Sequence, residues 1–224
     1  MKKYEFTGET KQAGLFGNIT LKRIRATMEF GIIKIGDLGG WIEKEENLSH
    51  KGDAWVYGDA EVYGNAEVYG DAEVYGNARV WGNAKVWGNA KVYGNAEVYG
   101  NAEVYGNARV WGNAKVWGNA EVCDDAEVCD DAKVWGNAEV YGNAEVFSIN
   151  HVLVIGPIGS RNDFTTFFRD KDSEITVKCG CFLGKIDKFL EKVSGTHGDS
   201  KYAIVYRTAV EIAKQQIDLS EEKQ

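Results

Sequence analysis

Between Gly52 and Phe147 the chain repeats one six-place alternation of polar and apolar residues sixteen times without interruption. Each unit reads Gly-Asn/Asp-Ala-x-Val-aromatic with almost no variation. Ala holds the third place in all sixteen, from Ala54 to Ala144, and Val the fifth, from Val56 to Val146. Ala-x-Val-aromatic has the period of two expected of a strand, and Gly-Asn/Asp supplies the bend. Glycine takes positive φ freely, and Asn and Asp are the next most tolerant residues there. A short fixed period identifies one small unit stacked on copies of itself.

Two arrangements could use this pattern. In an antiparallel meander the residues flanking a two-residue turn share a face. That sets Tyr57 beside Ala60 and mixes the next strand's Ala and Val with the charged side. In a parallel coil like stacks on like, so Ala and Val point inward while the charged residue and the aromatic point outward. Only the coil yields a clean core.

The run Val-Tyr-Gly-Asn-Ala-Glu resembles the hexapeptide repeat of left-handed parallel β-helices, in which a small residue follows an aliphatic one four places later. The resemblance covers 96 of the 224 residues. It implies a triangular prism with three units per coil, hence about five coils and a length of roughly 25 Å at the usual strand spacing. It also implies a homo-oligomer, commonly a trimer. The chain departs from the family where Tyr or Trp follows the aliphatic residue in place of a small or acidic one. Charge does not test the three-unit period independently. Among variable positions eighteen apart, seven of twelve charged pairs are opposite in sign, Glu61–Arg79, Glu67–Lys85 and Glu73–Lys91 among them; chance alone gives about half.

A solenoid exposes strand edges and core at both ends, so each end needs a cap. Residues 1–51 supply a β cap: Ile19–Ile24 and Gly31–Ile35 read as strands, and Gly36–Glu43 as a turn-rich plug with Trp41 over the first coil. The stretch Gly36–Ser49 resembles the leader before such repeats in phage and prophage proteins, a likeness that implies no chemistry. Residues 148–224 read as a small α+β domain. His151–Ile155 and Glu174–Phe182 have strand patterns, and Ile186, Phe189, Leu190 and Val193 keep helical spacing up to Gly195. A second helix begins near Asp199 or Ser200, with Tyr202, Tyr206, Ala209 and Ala213 on its buried stripe. The polar tail from Asp218 is expected to fray. The expected fold is therefore mainly β: a left-handed parallel β-helix over residues 52–147 between these two caps.

The net charge of −8 is unevenly spread. Residues 52–147 hold 16 acids and 6 bases, a net −10, against 7 and 9 in residues 1–51 and 11 and 11 in residues 148–224. So acidic a prism argues against duplex nucleic acid lying along it. No apolar run is long enough to span a bilayer and no signal peptide is recognisable. The four cysteines form no secreted framework. A reducing, cytoplasmic setting is expected, that of the host cell if the protein is phage-encoded.

Many left-handed β-helix proteins are CoA-dependent acyltransferases, which need a His base near the substrate. The sixteen units contain no His and no inserted loop; His50, His151 and His197 all lie outside them. Val74–Ala90 is identical to Val104–Ala120, thirty residues later. Thirty residues are five units, so on a three-sided prism the copies fall on different sides. A catalytic constellation would not survive that shift, whereas an interchangeable surface would. The aromatics of fourteen units would stack into ladders such as Tyr63, Trp81, Tyr99, Trp117 and Trp135, either stabilising the prism or offering a contact surface. Cys123 and Cys129, each followed by two Asp, interrupt the pattern on adjacent sides, too far apart to bridge or to converge on a metal. Cys179-Gly-Cys181 sets two thiols on one face of a strand, which suits buried small residues as well as zinc.

The candidate ligand site is Ile155–Arg169. It follows a strand, contains the only Pro, and offers Gly156 and Gly159 for close backbone approach. Ser160, Arg161, Asn162, Thr165, Thr166 and Arg169 can donate hydrogen bonds to an anion, and Phe164, Phe167 or Phe168 could stack on a base. It is neither a Walker loop nor a dinucleotide fingerprint, and a tight turn joining prism to cap is the plainer reading. The sequence thus points to a non-enzymatic, self-associating binding protein with no cofactor or metal. Its C-terminal domain would hold a small anionic ligand, of nucleotide type for instance, or a host protein. A scaffold without ligand and an acyltransferase are the alternatives.

Overall fold

The computed structural model describes residues 2–220. Three strands precede the repeat: β1 (Tyr4–Ala13), β2 (Ile19–Ala26) and β3 (Leu38–Ile42). Sixteen two-residue strands follow, one per unit, from β4 (Trp55–Val56) to β19 (Glu145–Val146). Each pairs in parallel with the strand eighteen residues away, so that Val98 lies in register with Val80 and Val116. Three units therefore make one coil, and three parallel sheets close a triangular prism. The Ala and Val of every unit are buried inside it.

The coil also explains the second place of each unit. Asn65, Asn83, Asn101, Asn119 and Asn137 form a continuous amide ladder, each donating Nδ2 to the next Oδ1 at 2.9–3.2 Å. An amide both donates and accepts and so propagates a ladder, whereas a carboxylate only accepts. Asp125 and Asp131 accordingly receive the last donations, from Asn107 and Asn113.

At the N-terminal end the leader is itself solenoidal. Ile42 pairs with Val62 and Leu48 with Val68, both buried, so they take Val places. With the sixteen valines that makes eighteen inward residues and six coils, more than the repeat alone supplies. Two expectations for the cap need correction. Gly31–Ile35 is a turn with an isolated Phe30–Ile33 bridge, leaving Ile32 and Ile35 exposed. Trp41 does not plug the coil: it sits on the outer face against Leu21 and Tyr63, with Lys11 and Arg23 over its ring. The first coil is closed by Tyr4, Ile24 and Phe30, which cover the buried Trp55. The strand β1, unforeseen in so polar a segment, pairs antiparallel with β2.

The C-terminal domain is a four-stranded antiparallel sheet in chain order, β20 (Val152–Ile158), β21 (Asp163–Arg169), β22 (Ile175–Cys179) and β23 (Phe182–Lys185). Helices α1 (Ile186–His197) and α2 (Lys201–Gln216) follow. The single strand expected over Glu174–Phe182 is a hairpin turning at Gly180–Cys181, and α1 runs through Gly195. Tyr206, Ala209 and Ala213 are buried on α2, as their spacing implies. Residues 221–224 of the expected fraying tail lie outside the described residues.

Strand β21 joins prism to domain. Its alternation sends Phe168 into the prism core and Phe167 into a separate core with Val177, Phe189, Tyr206 and Val210. Beside it, the buried Asp170 accepts from Thr176 Oγ1 at 2.6 Å, from the Asp172 N–H at 3.0 Å and from Lys185. Burial works against its charge, yet these donors hold its carboxyl below the usual carboxylate range.

Candidate functional site

The structure splits the segment Ile155–Arg169 into two places. Thr166 and Arg169 belong to the junction with the prism. Thr166 Oγ1 accepts the Glu139 N–H at 3.0 Å. Arg169 is buried over the Phe147 ring and pairs with Glu145 at 3.0 Å and with Ser173 Oγ at 2.7 Å. Thr165 is buried, its hydroxyl 3.3 Å from Cys179 Sγ. Phe167 and Phe168 are core residues and cannot stack on a ligand. Gly156 and Gly159 serve the protein's own packing: a Cβ at Gly156 would stand 2.7 Å from Phe164 Cα, and one at Gly159 1.9 Å from the Tyr206 hydroxyl. Asn162 holds a left-handed turn residue at φ 52° in the β20–β21 connection.

Ser160 and Arg161 go elsewhere. They border a cavity of about 140 Å³ between that connection, the β22–β23 turn and α1, lined also by Cys179, Cys181, Lys192 and His197. Phe182 and Phe189 form its apolar side, and Thr196 and Tyr206 add hydroxyls. Arg161 crosses the mouth. Its guanidinium lies on Gly180, where a Cβ would be only 2.0 Å from Nη1, and Nη2 is 3.8 Å from Cys181 Sγ. The guanidinium, with Lys192 adding to it, holds the exposed Cys181 thiol below its usual range. Burial raises the Tyr206 phenol, whose hydroxyl meets Ser160 and Cys179.

Sequence reasoning missed Lys192, Thr196, His197 and Tyr206. One signal was present: Phe189, Val193 and Thr196 continue a single helix stripe that turns polar in the last turn of α1. The other two histidines are structural. His50 stacks on Tyr4 at 4.3 Å and accepts the Lys3 N–H at 3.2 Å, while the buried His151 accepts the Phe147 N–H at 3.4 Å.

The prism exterior carries the expected ladders. Tyr63, Trp81, Tyr99, Trp117 and Trp135 stack with centroids 4.5–5.8 Å apart and planes within 14°. Two other columns lose a ring where Cys123 and Cys129 stand. Around Cys123, Tyr105 and Tyr141 lean together and both donate to Glu121. Among the described residues no group of three or more His, Cys, Asp or Glu could hold a metal ion, and no helix is long and apolar enough to cross a membrane.

Fold and cavity together define a parallel β-helix carrying a small α+β domain with a cation-lined hollow. Over 62 residues, 25% of the chain, it is 32% identical to a protein of Escherichia coli strain K12 described as the uncharacterized acetyltransferase YdcK. The match covers 19% of that protein, so the chain spans about a fifth of the length of the curated relative it matches. No family model matches the chain.

Proposed function

We propose that this is a binding protein whose prism is a rigid spacer and whose C-terminal cavity takes a small anionic ligand of phosphate or nucleotide type. The observation that carries the reading is the meeting of Arg161, Lys192 and His197 with the hydroxyls of Ser160, Thr196 and Tyr206 around one hollow with an aromatic side. Cations and hydroxyls recognise phosphoryl oxygens, and Phe182 offers a ring to a base. Self-association suits the same reading: Leu15 and Phe16, at the tip of the β1–β2 hairpin, are 90% and 85% exposed and offer an apolar contact to a second copy. If the phage-like leader reflects origin, the ligand is a signal of the host cell.

Thermal unfolding across a panel of phosphate, nucleotides and dinucleotides tests this. A ligand at a hundredfold its Kd adds about 2.7 kcal/mol to stability, several degrees in Tm. That shift is expected in the native chain and absent in Arg161→Gln and Lys192→Gln. An unchanged Tm across the panel refutes the reading.

Acyl transfer is favoured by the partial likeness to the E. coli protein. Against it, the sixteen repeats hold no His, and the histidines at the prism ends are engaged structurally. CoA-thioester turnover lost in His50→Ala would reverse that judgement.

A further inference from the structure

We propose that Cys181 is a nucleophilic thiol that exchanges with small disulfides bearing acidic groups, so that the cavity receives an anionic thiol covalently. This rests on reading the hollow as an anion site and adds a reaction to it. Cys181 occupies a two-residue turn between β22 and β23 and is exposed. Gly180 beside it lacks the Cβ that would displace Arg161, and so the guanidinium lies 3.8 Å from Cys181 Sγ. Lys192 and His197 line the same cavity. A cation beside an accessible sulfur both favours the thiolate and gathers acidic reagents.

The other three thiols are set apart by their surroundings. Cys123 and Cys129 are buried, and burial pushes the Cys123 thiol up to about 12. Cys179 is half-buried, with Thr165 Oγ1 at 3.3 Å and the Tyr206 hydroxyl at 4.0 Å.

In the exchange, Cys181 first releases its proton to water. The thiolate attacks one sulfur of the disulfide, forming a new S–S bond to that group. The original S–S bond breaks, and its electron pair leaves with the second sulfur as a thiolate. The disulfide is the oxidant, and no other redox partner is consumed.

The test uses the full native chain and two probes, oxidised glutathione (acidic) and cystamine (basic), with adducts followed by intact mass and located by peptide mapping. The ratio of acidic to basic probe rates is compared with that of an unstructured cysteine peptide. A ratio about tenfold above the peptide's is expected at low salt, carried by Cys181, absent in Cys181→Ser and collapsing in Arg161→Gln. A ratio equal to the peptide's overturns the proposal, as does a first adduct on Cys179. Circular dichroism of Arg161→Gln guards against loss of fold, and Lys192→Gln, expected to lower the ratio partway, gives a second reading. If phosphate and nucleotides leave Tm unchanged while the charge ratio holds, the exchange stands and the non-covalent ligand fails.

Discussion

Replacing one turn glycine by alanine separates the two forces that put glycine at the head of fourteen of the sixteen units. Gly100 and Gly136 lie in one column of stacked turns, at φ 75° and 69°. Alanine at either position meets the same left-handed backbone, costing about 1–2 kcal/mol, partly offset by roughly 0.4–1 kcal/mol from a stiffer unfolded chain. Space differs. At Gly100 a Cβ would stand 3.0 Å from the nitrogen and 3.1 Å from the oxygen of Gly118 in the next coil. That backbone cannot retreat freely, because the Asn101 N–H donates to Gly118 O at 2.7 Å. At Gly136, where the column ends, nothing lies within 4 Å. Overpacking against fixed atoms adds about 1–3 kcal/mol. Gly136→Ala should therefore lose about 1 kcal/mol and Gly100→Ala about 2–4 kcal/mol, measured by denaturant unfolding with tryptophan fluorescence. Equal losses would refute the axial crowding and leave backbone conformation as the sole reason for glycine. Asp124 and Asp130 already occupy this place at φ 59° and 53°, and Asp124 recovers a hydrogen bond, its carboxylate accepting the Gly142 N–H at 3.1 Å.

Two further outcomes follow from the cap and the coil. Lys3 is buried with its Nζ on the Gly52 and Ala54 carbonyls at 3.2 and 2.7 Å, and burial lowers its pKa to about 8. The unfolded chain then holds more protons between pH 8 and 10.5, so stability rises with pH in that window. Relative to Lys3→Met, the native chain should gain about 1 kcal/mol from pH 7.5 to 9.5, allowing for screening; a flat difference would show that the ammonium is not desolvated. Deleting Gly94–Trp111, one whole coil, should leave a cooperative β-rich melt at lower Tm. Deleting only Gly94–Ala96, half a unit, drives aromatic and Asn positions inward and should abolish that melt, and a native-like circular dichroism spectrum would refute the inward and outward assignment.

How far the structure was readable from residues depends on whether neighbours in space are also neighbours in pattern. The prism qualifies: between successive coils of the repeat Val stacks on Val in register and every Ala and Val is buried, so the period alone fixes inside and outside there. The coil number did not follow from the repeat, because Ile42 and Leu48 fill Val places without repeating Val's flanks. Trp55 is buried though it stands at a variable, outward place, since the cap folds over the first coil and converts its outer face into core. The cavity was half visible. Arg161 and Ser160 were evident as donors in a turn, but Lys192, His197 and Tyr206 lie 31 to 46 positions further along and arrive only once α1 and α2 dock. Thr165, Thr166 and Arg169 looked equally able to bind an anion, yet strand alternation and the prism junction bury their side chains.

The duplicated segment is the reason for proposing that selectivity lies at the ends. Trp81 and Trp111 are the same residue of the two copies, yet Trp81 is sandwiched by Tyr63 and Tyr99, whereas Trp111 stacks on Tyr93 and has Cys129 in the next coil. Val74 and Val104 likewise fall in different sheets. Residues on the prism thus meet different partners whenever units are copied, and only the rule of like on like survives. A recognition site that needs particular side chains in particular places would be scrambled by the duplication that this chain has tolerated. The cavity around Arg161 is built from one connection, one turn and two helices of a domain that does not repeat, so copying units displaces it as a whole without changing what its residues face.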